Sequence, residues 1–191
     1  ASLRSILRQD PNIIMIGEIR DYETVDIAIK SALTGHLVLS TLHTTTAPGA
    51  VVRLVNMGVE PYLINSSLIC VVAQRLVRKI CTHCKEEYVV KPEVLASLKL
   101  KLDTSKEVKF FRGKGCTNCF NMGYIGRIGI AEVLILSSSI RNLILAKAQE
   151  HLIKQKAREE GMRTLREDGI SQVLKGVTTI EEILRVTAPD E

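Results

Sequence analysis

The sequence predicts an α/β protein with a small metal-binding subdomain and a helical C-terminal region. Short apolar strands alternate with amphipathic helices early in the chain, which is typical of an α/β sheet. Four cysteines in the middle form two Cys-x-x-Cys pairs, and from Ser137 onward the chain consists of charged helical segments. We therefore expect three consecutive parts, at residues 1–80, 81–124 and 125–191.

The amino-acid composition is that of a globular protein. Of 191 residues, 46% are hydrophobic and 25% charged, which argues against disorder. Aromatic residues make up only 4% and there is no Trp, so a stacking surface for single-stranded nucleic acid is not expected. The net charge of +5 comes from scattered basic residues, which permit contact with phosphates or an anionic membrane without requiring it.

The chain carries no sign of membrane insertion or export. No apolar run approaches the roughly 20 residues of a membrane span, and no signal-peptide pattern is present. The sequence begins without Met and enters helix-like sequence at once. We therefore expect a fragment of a longer protein from a reducing, cytoplasmic compartment.

The first strand and helix are predicted from residues 13–35. Four apolar residues, Ile13–Ile16, are typical of a strand buried on both faces of a parallel sheet, and Gly17 breaks the run. Asp21 or Thr24 is the expected N-cap of the next helix, which Gly35 ends. The apolar stripe of this helix comprises Val25, Ala28, Ile29, Ala32 and Leu33.

Further elements follow with short connections. A strand is expected over 36–43, then a helix with Thr46 as its cap, Pro48 in its first turn and Gly58 as its stop. A short helix and a β-rich segment lead to residue 80. Beyond it we expect a helix near 92–101, a strand over 107–113, a strand over 124–136 that returns to a core, and four helical segments.

The two Cys-x-x-Cys pairs are a strong metal-site signal. Cys81 and Cys84 are separated from Cys116 and Cys119 by residues 85–115, and each pair forms a knuckle that places two thiolates around one tetrahedral ion. Four sulfurs close the coordination shell, so zinc in a structural role is expected rather than catalysis. Free or redox-active cysteines are the alternative. A zinc site would hold together a subdomain too small to fold alone.

Other residues near these cysteines have simpler interpretations. Gly113, Gly115 and Gly123 supply the freedom that tight turns need. His83 lies inside the first knuckle, but four sulfurs already fill the shell, so we interpret it as a loop residue. Cys70 lies in an apolar stretch and is expected to be a small buried hydrophobic residue.

Polar residues follow two consecutive predicted strands. Glu18 comes directly after the first strand, and Ser40, Thr41, His43 and Thr44 end the second. Open α/β sheets bind ligands at the carboxyl edge of their strands, where a carboxylate can orient an attacking water in nucleotide hydrolysis. An imidazole there could contact a γ-phosphate. A surface carboxylate paired with Arg20, and a histidine that is merely hydrogen-bonded, are the ordinary alternatives. His36 begins the second strand and need not share the location of His43.

Several stretches together resemble the secretion ATPases of type II secretion systems and type IV pilus assembly. Residues 3–24, LRSILRQDPNIIMIGEIRDYET, resemble the Walker B region of that family, and ALTGHLVLSTLHT resembles its His box. The cysteine pairs with VAQRLVRKICTHC and GYIGRIGIAEVL resemble its tetracysteine region. MRTLREDGISQVLKGVTTIEEILRVT resembles its C-terminal end, so the likeness runs nearly end to end. Pilus-retraction relatives lack the tetracysteine insert and match less well.

The resemblance implies the C-terminal part of a RecA-like P-loop ATPase. The whole protein would be a homo-hexamer on the cytoplasmic face of the inner membrane, using ATP and Mg²⁺ to move a platform protein that builds a pilus or pseudopilus. Glu18 would be the Walker B carboxylate near magnesium and the attacking water. His36, His43 and Arg20 would sense the phosphates, and Cys81, Cys84, Cys116 and Cys119 would bind zinc. The family's Walker B has Gly before Glu, as Gly17 does here.

One part of the family pattern is missing from the chain. No G-x-x-x-x-G-K-[ST] occurs, and the Gly113–Lys114 pair lacks the following hydroxyl residue. We therefore expect the phosphate cradle upstream and this chain alone to be inactive. The alternative function is a non-enzymatic zinc module that binds nucleic acid or protein. Phe110, Phe111 and Phe120 with neighbouring basic residues favour it slightly, but it explains neither Glu18 nor the α/β part.

Overall fold

A computed structural model describes residues 11–89 and 109–188. The helix predicted near 92–101 and the helix-like start at residues 3–10 lie outside the described residues. The α-helices and strands are, in chain order, β1 (Ile13–Ile16), α1 (Tyr22–Leu33), β2 (Leu37–Ser40), α2 (Ala47–Asn56), α3 (Pro61–Ser67), β3 (Cys70–Ile80), β4 (Lys85–Val89), β5 (Lys109–Gly113), β6 (Tyr124–Ile135), α4 (Ser138–Leu145), α5 (Glu150–Glu159), α6 (Leu165–Leu174) and α7 (Ile180–Val186).

The chain divides into two compact units, each made of two separate segments. The first holds the described parts of Ala1–Ala73 and Glu132–Met162, and the second holds the described parts of Gln74–Ala131 and Arg163–Glu191. β3 and β6 form a two-stranded sheet, and the division falls within both strands. The expected mixed α/β fold with a helical C-terminal region is confirmed, while the three-part division remains a prediction.

The parallel pair β1–β2 carries the first candidate site. Ile13 lies opposite Leu37, and the register continues to Ile16 opposite Ser40. α1 connects the two strands, as parallel pairing requires, and the side chains of Ile14 and Ile16 pack with Ala28 of this helix. The carboxyl ends of both strands therefore meet at one edge of the sheet.

Burial on both faces of β1, expected from its apolar run, is wrong for the described residues. Ile14 and Ile16 are buried, but the alternate residues Ile13 and Met15 are 60% and 76% exposed. A crossover helix covers only one face of a parallel pair, and no other described element buries the opposite face. β1 thus alternates between buried and exposed positions like a strand covered on one side.

N-terminal caps determine where α1 and α2 begin, and so where the loops after β1 and β2 end. The side chain of Asp21 accepts the N–H of Thr24 at 2.8 Å, so Asp21 is the cap of α1 rather than Thr24. Thr46 caps α2 by accepting the N–H of Gly49 at 3.0 Å, and Pro48 lies in the first turn, as predicted. The loops after β1 and β2 therefore span only a few residues before each helix holds the chain.

The second unit contains the antiparallel pair β4–β5 and the last two helices. Lys85 lies opposite Gly113 and Val89 opposite Lys109, so the end of this pair carries the cysteine knuckles. The strand predicted over 107–113 is confirmed from Lys109 onward. Phe110 of β5 is 1% exposed and supplies apolar burial to the small pair.

A buried carboxylate connects α7 to β3 within the second unit. Glu182 is 1% exposed and accepts hydrogen bonds from the side chains of Arg78 (2.5 Å) and Arg185 (3.0 Å) and from the Arg78 backbone (3.0 Å). Burial raises the pKa of this carboxyl, but the two guanidinium groups outweigh it and lower the pKa to about 2. The Arg78 guanidinium also lies 4.3 Å from the ring centroid of Tyr124.

Candidate functional sites

The first site is the edge where β1 and β2 end. Glu18 follows β1 after the bend at Gly17, and its side chain is 20% exposed. A Cβ atom at Gly17 would meet no heavy atom of the described residues within 4 Å. The backbone before Glu18 is therefore exposed, and none of the described residues makes a steric contact that demands glycine there.

Two of the predicted partners contact the Glu18 carboxylate. Arg20 donates from Nε to Oε2 at 2.6 Å, and the imidazole Nε2 of His43 lies against Oε1. The Arg20 hydrogen bond is the main cause of a lowered pKa for Glu18; partial burial opposes it, and His43 adds a smaller lowering effect. Glu18 is therefore a carboxylate at neutral pH, while the side chains of Arg20 and His43 are 76% and 86% exposed.

Thr41 joins the two strand ends that carry this cluster. Its hydroxyl donates to the carbonyl of Gly17 at 2.7 Å, and its own carbonyl accepts the N–H of Ile19 at 2.9 Å. These bonds continue the pairing of β1 with β2 past the last strand residues. They hold the backbone on both sides of Glu18.

His36 lies at the other end of β2. Its Nδ1 is 2.9 Å from the carbonyl of Ser31 and 3.1 Å from the hydroxyl of Thr34, both at the end of α1. Four strand residues, each rising about 3.3 Å, separate it from the edge that holds Glu18. The structure therefore brings together Glu18, Arg20 and His43 but not His36, whose role in phosphate sensing remains a prediction.

Glu132 supports this region and was not anticipated from the sequence. It is 2% exposed, and its Oε1 accepts the N–H of Ala47, the first residue of α2, at 2.8 Å. It thus fixes the helix start that ends the loop carrying His43. A signal was available, because Glu132 occupies the inward position between Ile130 and Leu134 in an alternating strand, where a carboxylate needs a donor.

The second site is the cysteine cluster of the second unit. The four Sγ atoms of Cys81, Cys84, Cys116 and Cys119 all lie within 4.8 Å of one another. Three separations are 3.9 Å (Cys81–Cys116), 3.8 Å (Cys84–Cys119) and 3.7 Å (Cys116–Cys119). Four sulfurs about 2.3 Å from a tetrahedral zinc ion would lie about 3.8 Å apart. The cluster fits such an ion.

Backbone N–H groups converge on two of these sulfurs. Cys119 Sγ accepts from Cys116 and Gly123, both at 3.2 Å, and Cys84 Sγ accepts from Gly115 at 3.3 Å. Burial raises the pKa of Cys119, but the two N–H groups together with the side chains of Cys116 and Cys84 outweigh it, and the pKa falls to about 7. Burial raises the pKa of Cys84 to about 12. Such N–H groups stabilise thiolates, the form in which cysteine binds metal.

Glycines allow the two knuckles to approach each other. A Cβ at Gly113 would lie 2.0 Å from the carbonyl oxygen of Gly123, which no rotamer change could relieve. Gly123 also has a φ of 74°, in the left-handed region. The expectation that glycines permit this turn is therefore confirmed here in atomic terms.

The predictions for His83 and Cys70 have different outcomes. His83 is exposed and does not belong to the four-residue group, which agrees with its interpretation as a loop residue. Cys70 was expected to be buried, and this is wrong: it is exposed at the first position of β3. Its apolar neighbours misled the prediction, because Ile69 and Val72 are themselves 69% and 52% exposed.

Basic residues around the cluster are largely paired. Arg112 and Lys114 contact the carboxylate of Glu86 at 2.8 and 3.0 Å, and Lys109 contacts Glu87 at 2.9 Å. Nucleic-acid surfaces present unpaired basic groups to phosphates. This pairing disfavours the alternative of a nucleic-acid-binding zinc module.

The fold is that of a class of mixed α/β proteins with solved structures. The crystal structure of the pilus retraction motor PilT with bound ADP matches 99% of this chain and 43% of that chain, with a TM-score of 0.66 and 28% identity. The ATPase DotB of Legionella pneumophila matches with a TM-score of 0.62 at 20% identity and supports the fold alone.

Sequence comparison narrows the class to a family. The model of the Type II/IV secretion system protein family matches residues 1–185, and the chain belongs to this family. It is 50% identical over 186 residues to the type IV pilus assembly ATPase PilB of Thermus thermophilus, covering 97% of this chain and 21% of the relative. It is 49% identical over 185 residues to type II secretion system protein E of Pseudomonas aeruginosa, covering 97% and 36%.

The chain thus spans about a fifth to a third of the length of these relatives. The predicted resemblance to this family is confirmed. The relatives reported above are named as pilus-assembly and type II secretion proteins, as the resemblance implies. Among the described residues, no helix combines the length and apolar character that a membrane crossing requires.

Proposed function

We propose that the complete protein is an ATPase that powers assembly of a type IV pilus or a type II secretion pseudopilus. The observation that carries this proposal is the Glu18 carboxylate held between Arg20 and His43 at the carboxyl edge of two parallel strands. This is the edge at which α/β sheets bind nucleotides. The names of the relatives support the same activity.

Glu18 has the properties that a water-orienting carboxylate needs. Its lowered pKa keeps it ionised at neutral pH, and an ionised carboxylate can accept a hydrogen bond from an attacking water. His43 is exposed and can donate a hydrogen bond toward a phosphate, while Arg20 fixes the orientation of the carboxylate. When both are bound, ATP supplies the phosphoryl group and Mg²⁺ neutralises its charge.

The phosphate cradle is part of the proposal but not of this chain. The 191 residues contain no G-x-x-x-x-G-K-[ST], so we place that loop in the remainder of a longer protein. The exposed apolar side chains Ile13 and Met15 fit a longer protein in which further elements pack on the second face of β1. The isolated chain accordingly binds ATP weakly and does not hydrolyse it. A homo-hexamer acting on an inner-membrane platform protein at the cytoplasmic face completes the proposal.

Zinc has a structural role in this scheme. Cys81, Cys84, Cys116 and Cys119 would hold the ion, and their four sulfurs leave no position for a reacting water. The ion, when bound, cross-links the two knuckles at the end of β4–β5. We place zinc here rather than a redox pair because the sulfurs of both Cys-x-x-Cys pairs lie within 4.8 Å of one another, with separations that fit one tetrahedral ion.

The test is the steady-state ATPase rate of the complete protein with Glu18→Gln. This substitution keeps the size of the side chain but removes its charge, and we expect the rate to fall at least about 100-fold with nucleotide binding retained. Glu23→Gln, an exposed carboxylate on α1 of the same unit, is the matched control and keeps the wild-type rate. Wild-type turnover by Glu18→Gln would remove Glu18 from the chemistry.

A further inference from the structure

Thr41 makes two hydrogen bonds that flank a single residue. Its hydroxyl donates to the Gly17 carbonyl at 2.7 Å, one residue before Glu18, and its carbonyl accepts from Ile19 at 2.9 Å, one residue after. The regular ladder of β1 and β2 stops at Ile16 opposite Ser40. Without the Thr41 hydroxyl, the backbone that carries Glu18 would keep only the Ile19 bond to the Thr41 carbonyl beyond the end of the ladder.

The same residue leads into the loop that presents His43. Thr41 lies two residues before His43, directly after β2, and the other end of that loop is held by the Thr46 cap of α2. Among the described residues, the basic groups that contact the Glu18 carboxylate are Arg20 from its own segment and His43 from this loop. The distance between the Glu18 and His43 backbones therefore depends on the bonds that Thr41 makes.

The Thr41 hydroxyl is committed to the backbone rather than to a ligand. At 2.7 Å its proton is donated to the Gly17 carbonyl. Thr41 as a residue is exposed, so the hydroxyl could hydrogen-bond water at no cost if this contact did not form. The contact therefore contributes little to global stability, and its consequence is where the next residue, Glu18, points.

We propose that Thr41 is a positioning residue for Glu18, acting through the Gly17 carbonyl and the Ile19 amide. This rests on the proposed ATPase function. A reacting group misplaced by about 1 Å can cost up to about 100-fold in rate. Loss of one of two flanking bonds is a smaller disturbance, so we expect a fall of about 10-fold in kcat.

Thr41→Val in the complete protein is the first test. Valine keeps the branched shape of threonine and removes the hydroxyl, so kcat for ATP falls about 10-fold while KM stays within about twofold. Thr41→Ser keeps the hydroxyl and stays within about twofold of wild type. Thr45→Val makes the same change at an exposed position in the same loop and leaves both constants unchanged.

Other kinetic results would overturn the proposal. A Thr41→Val protein with unchanged kcat shows that the hydroxyl does not position Glu18. A raised KM with unchanged kcat shows that the hydroxyl contacts the nucleotide itself. A Thr41→Ser protein as impaired as Thr41→Val shows that the methyl group, rather than the hydroxyl, is what the site needs.

A second measurement separates this inference from the ATPase proposal. The ¹³C resonance of the Glu18 carboxyl in the 191-residue chain, assigned with Glu18→Gln, reports the surroundings of that group without any turnover. We expect it to move in Thr41→Val and to stay in Thr41→Ser and Thr45→Val. A moved resonance in a complete protein without ATPase activity would refute the proposed function alone, whereas an unmoved resonance would refute the positioning role.

Discussion

The imidazole of His43 lies against the carboxylate of Glu18, and the two residues come from loops after different strands. Arg20 contacts the other carboxylate oxygen from the same segment as Glu18. The carboxylate therefore has one local and one distant partner. Their unequal effects on the pKa of Glu18 can be measured separately.

Arg20→Gln raises the pKa of Glu18 more than His43→Gln does. The Arg20 hydrogen bond is the largest cause of the lowered pKa, and the effect of His43 is smaller. Because the folded-state pKa of Glu18 is lowered, its favourable interactions are present above the ordinary pKa of a glutamate and are lost as pH falls through the folded value. Carboxyl ¹³C titration of Glu18 in each variant gives the order directly.

Lys30→Gln is the control for the comparison of Arg20→Gln with His43→Gln. Lys30→Gln removes an exposed cation that pairs with Asp26 at 2.6 Å, so the Glu18 titration stays unchanged. An equal or larger rise with His43→Gln would show that the distant partner dominates the electrostatics of the site.

The meeting of Glu18 and His43 could be expected from the sequence because parallel strands share a carboxyl edge. Glu18 and His43 follow consecutive apolar runs joined by a helical segment, and this connection fixes their side of the sheet. The same logic separates His36, which precedes β2 and so lies at the opposite end. Caps at Asp21 and Thr46 were readable because their hydrogen bonds are local.

The structural features that could not be predicted from the sequence depend on contacts between distant segments. Ile13, Met15 and Cys70 are exposed because no described element packs over them. The apolar sequence of a strand does not show which elements will pack on each of its faces. Ala47 donates to Glu132 and Arg78 donates to Glu182 from far away in the chain, whereas Arg185 lies only three residues from Glu182. A buried acid signals that a donor exists without naming it.

Glu182→Gln destabilises the second unit, and the effect depends on pH. Its carboxyl pKa falls from an ordinary value of 4.5 to about 2, a shift that corresponds to about 3 kcal/mol at neutral pH. That contribution is fully present above about pH 4.5 and is lost as pH falls toward the folded value. The free energies of unfolding of wild type and variant in urea should therefore differ less at pH 3 than at pH 7 and converge only near the folded pKa of about 2.

Glu86→Gln is the matched control for that experiment. Glu86 pairs with Arg112 and Lys114, whose side chains are 60% and 74% exposed, so solvent screens these ion pairs and its loss has little effect on the free energy of unfolding. A difference between wild type and Glu182→Gln that stays constant down to pH 3 would show that packing, rather than the ion pairs with Arg78 and Arg185, explains the destabilisation.

Glu132→Ala weakens the start of α2. The substitution leaves the buried N–H of Ala47 without its acceptor, at a cost of about 1–3 kcal/mol. Amide hydrogen exchange at Ala47 should rise more than at the middle of α2. Glu150→Ala, which removes an exposed carboxylate bonded to Thr46, changes stability by at most about 1 kcal/mol. Equal effects of the two variants would exclude a special role for the buried acid.

The purified chain should contain about one zinc ion, and removing it should affect one unit first. The cysteines hold the knuckles at the end of β4–β5, whereas β1 and β2 belong to the other unit. Cys84→Ser removes one of four ligands, so bound zinc falls well below one per chain and amide exchange rises in β4 and β5 while β1 keeps its protection. Cys70→Ser, at an exposed cysteine outside the cluster, keeps zinc and protection. Zinc retained in Cys84→Ser, or lost in Cys70→Ser, would contradict a site made of the four clustered sulfurs.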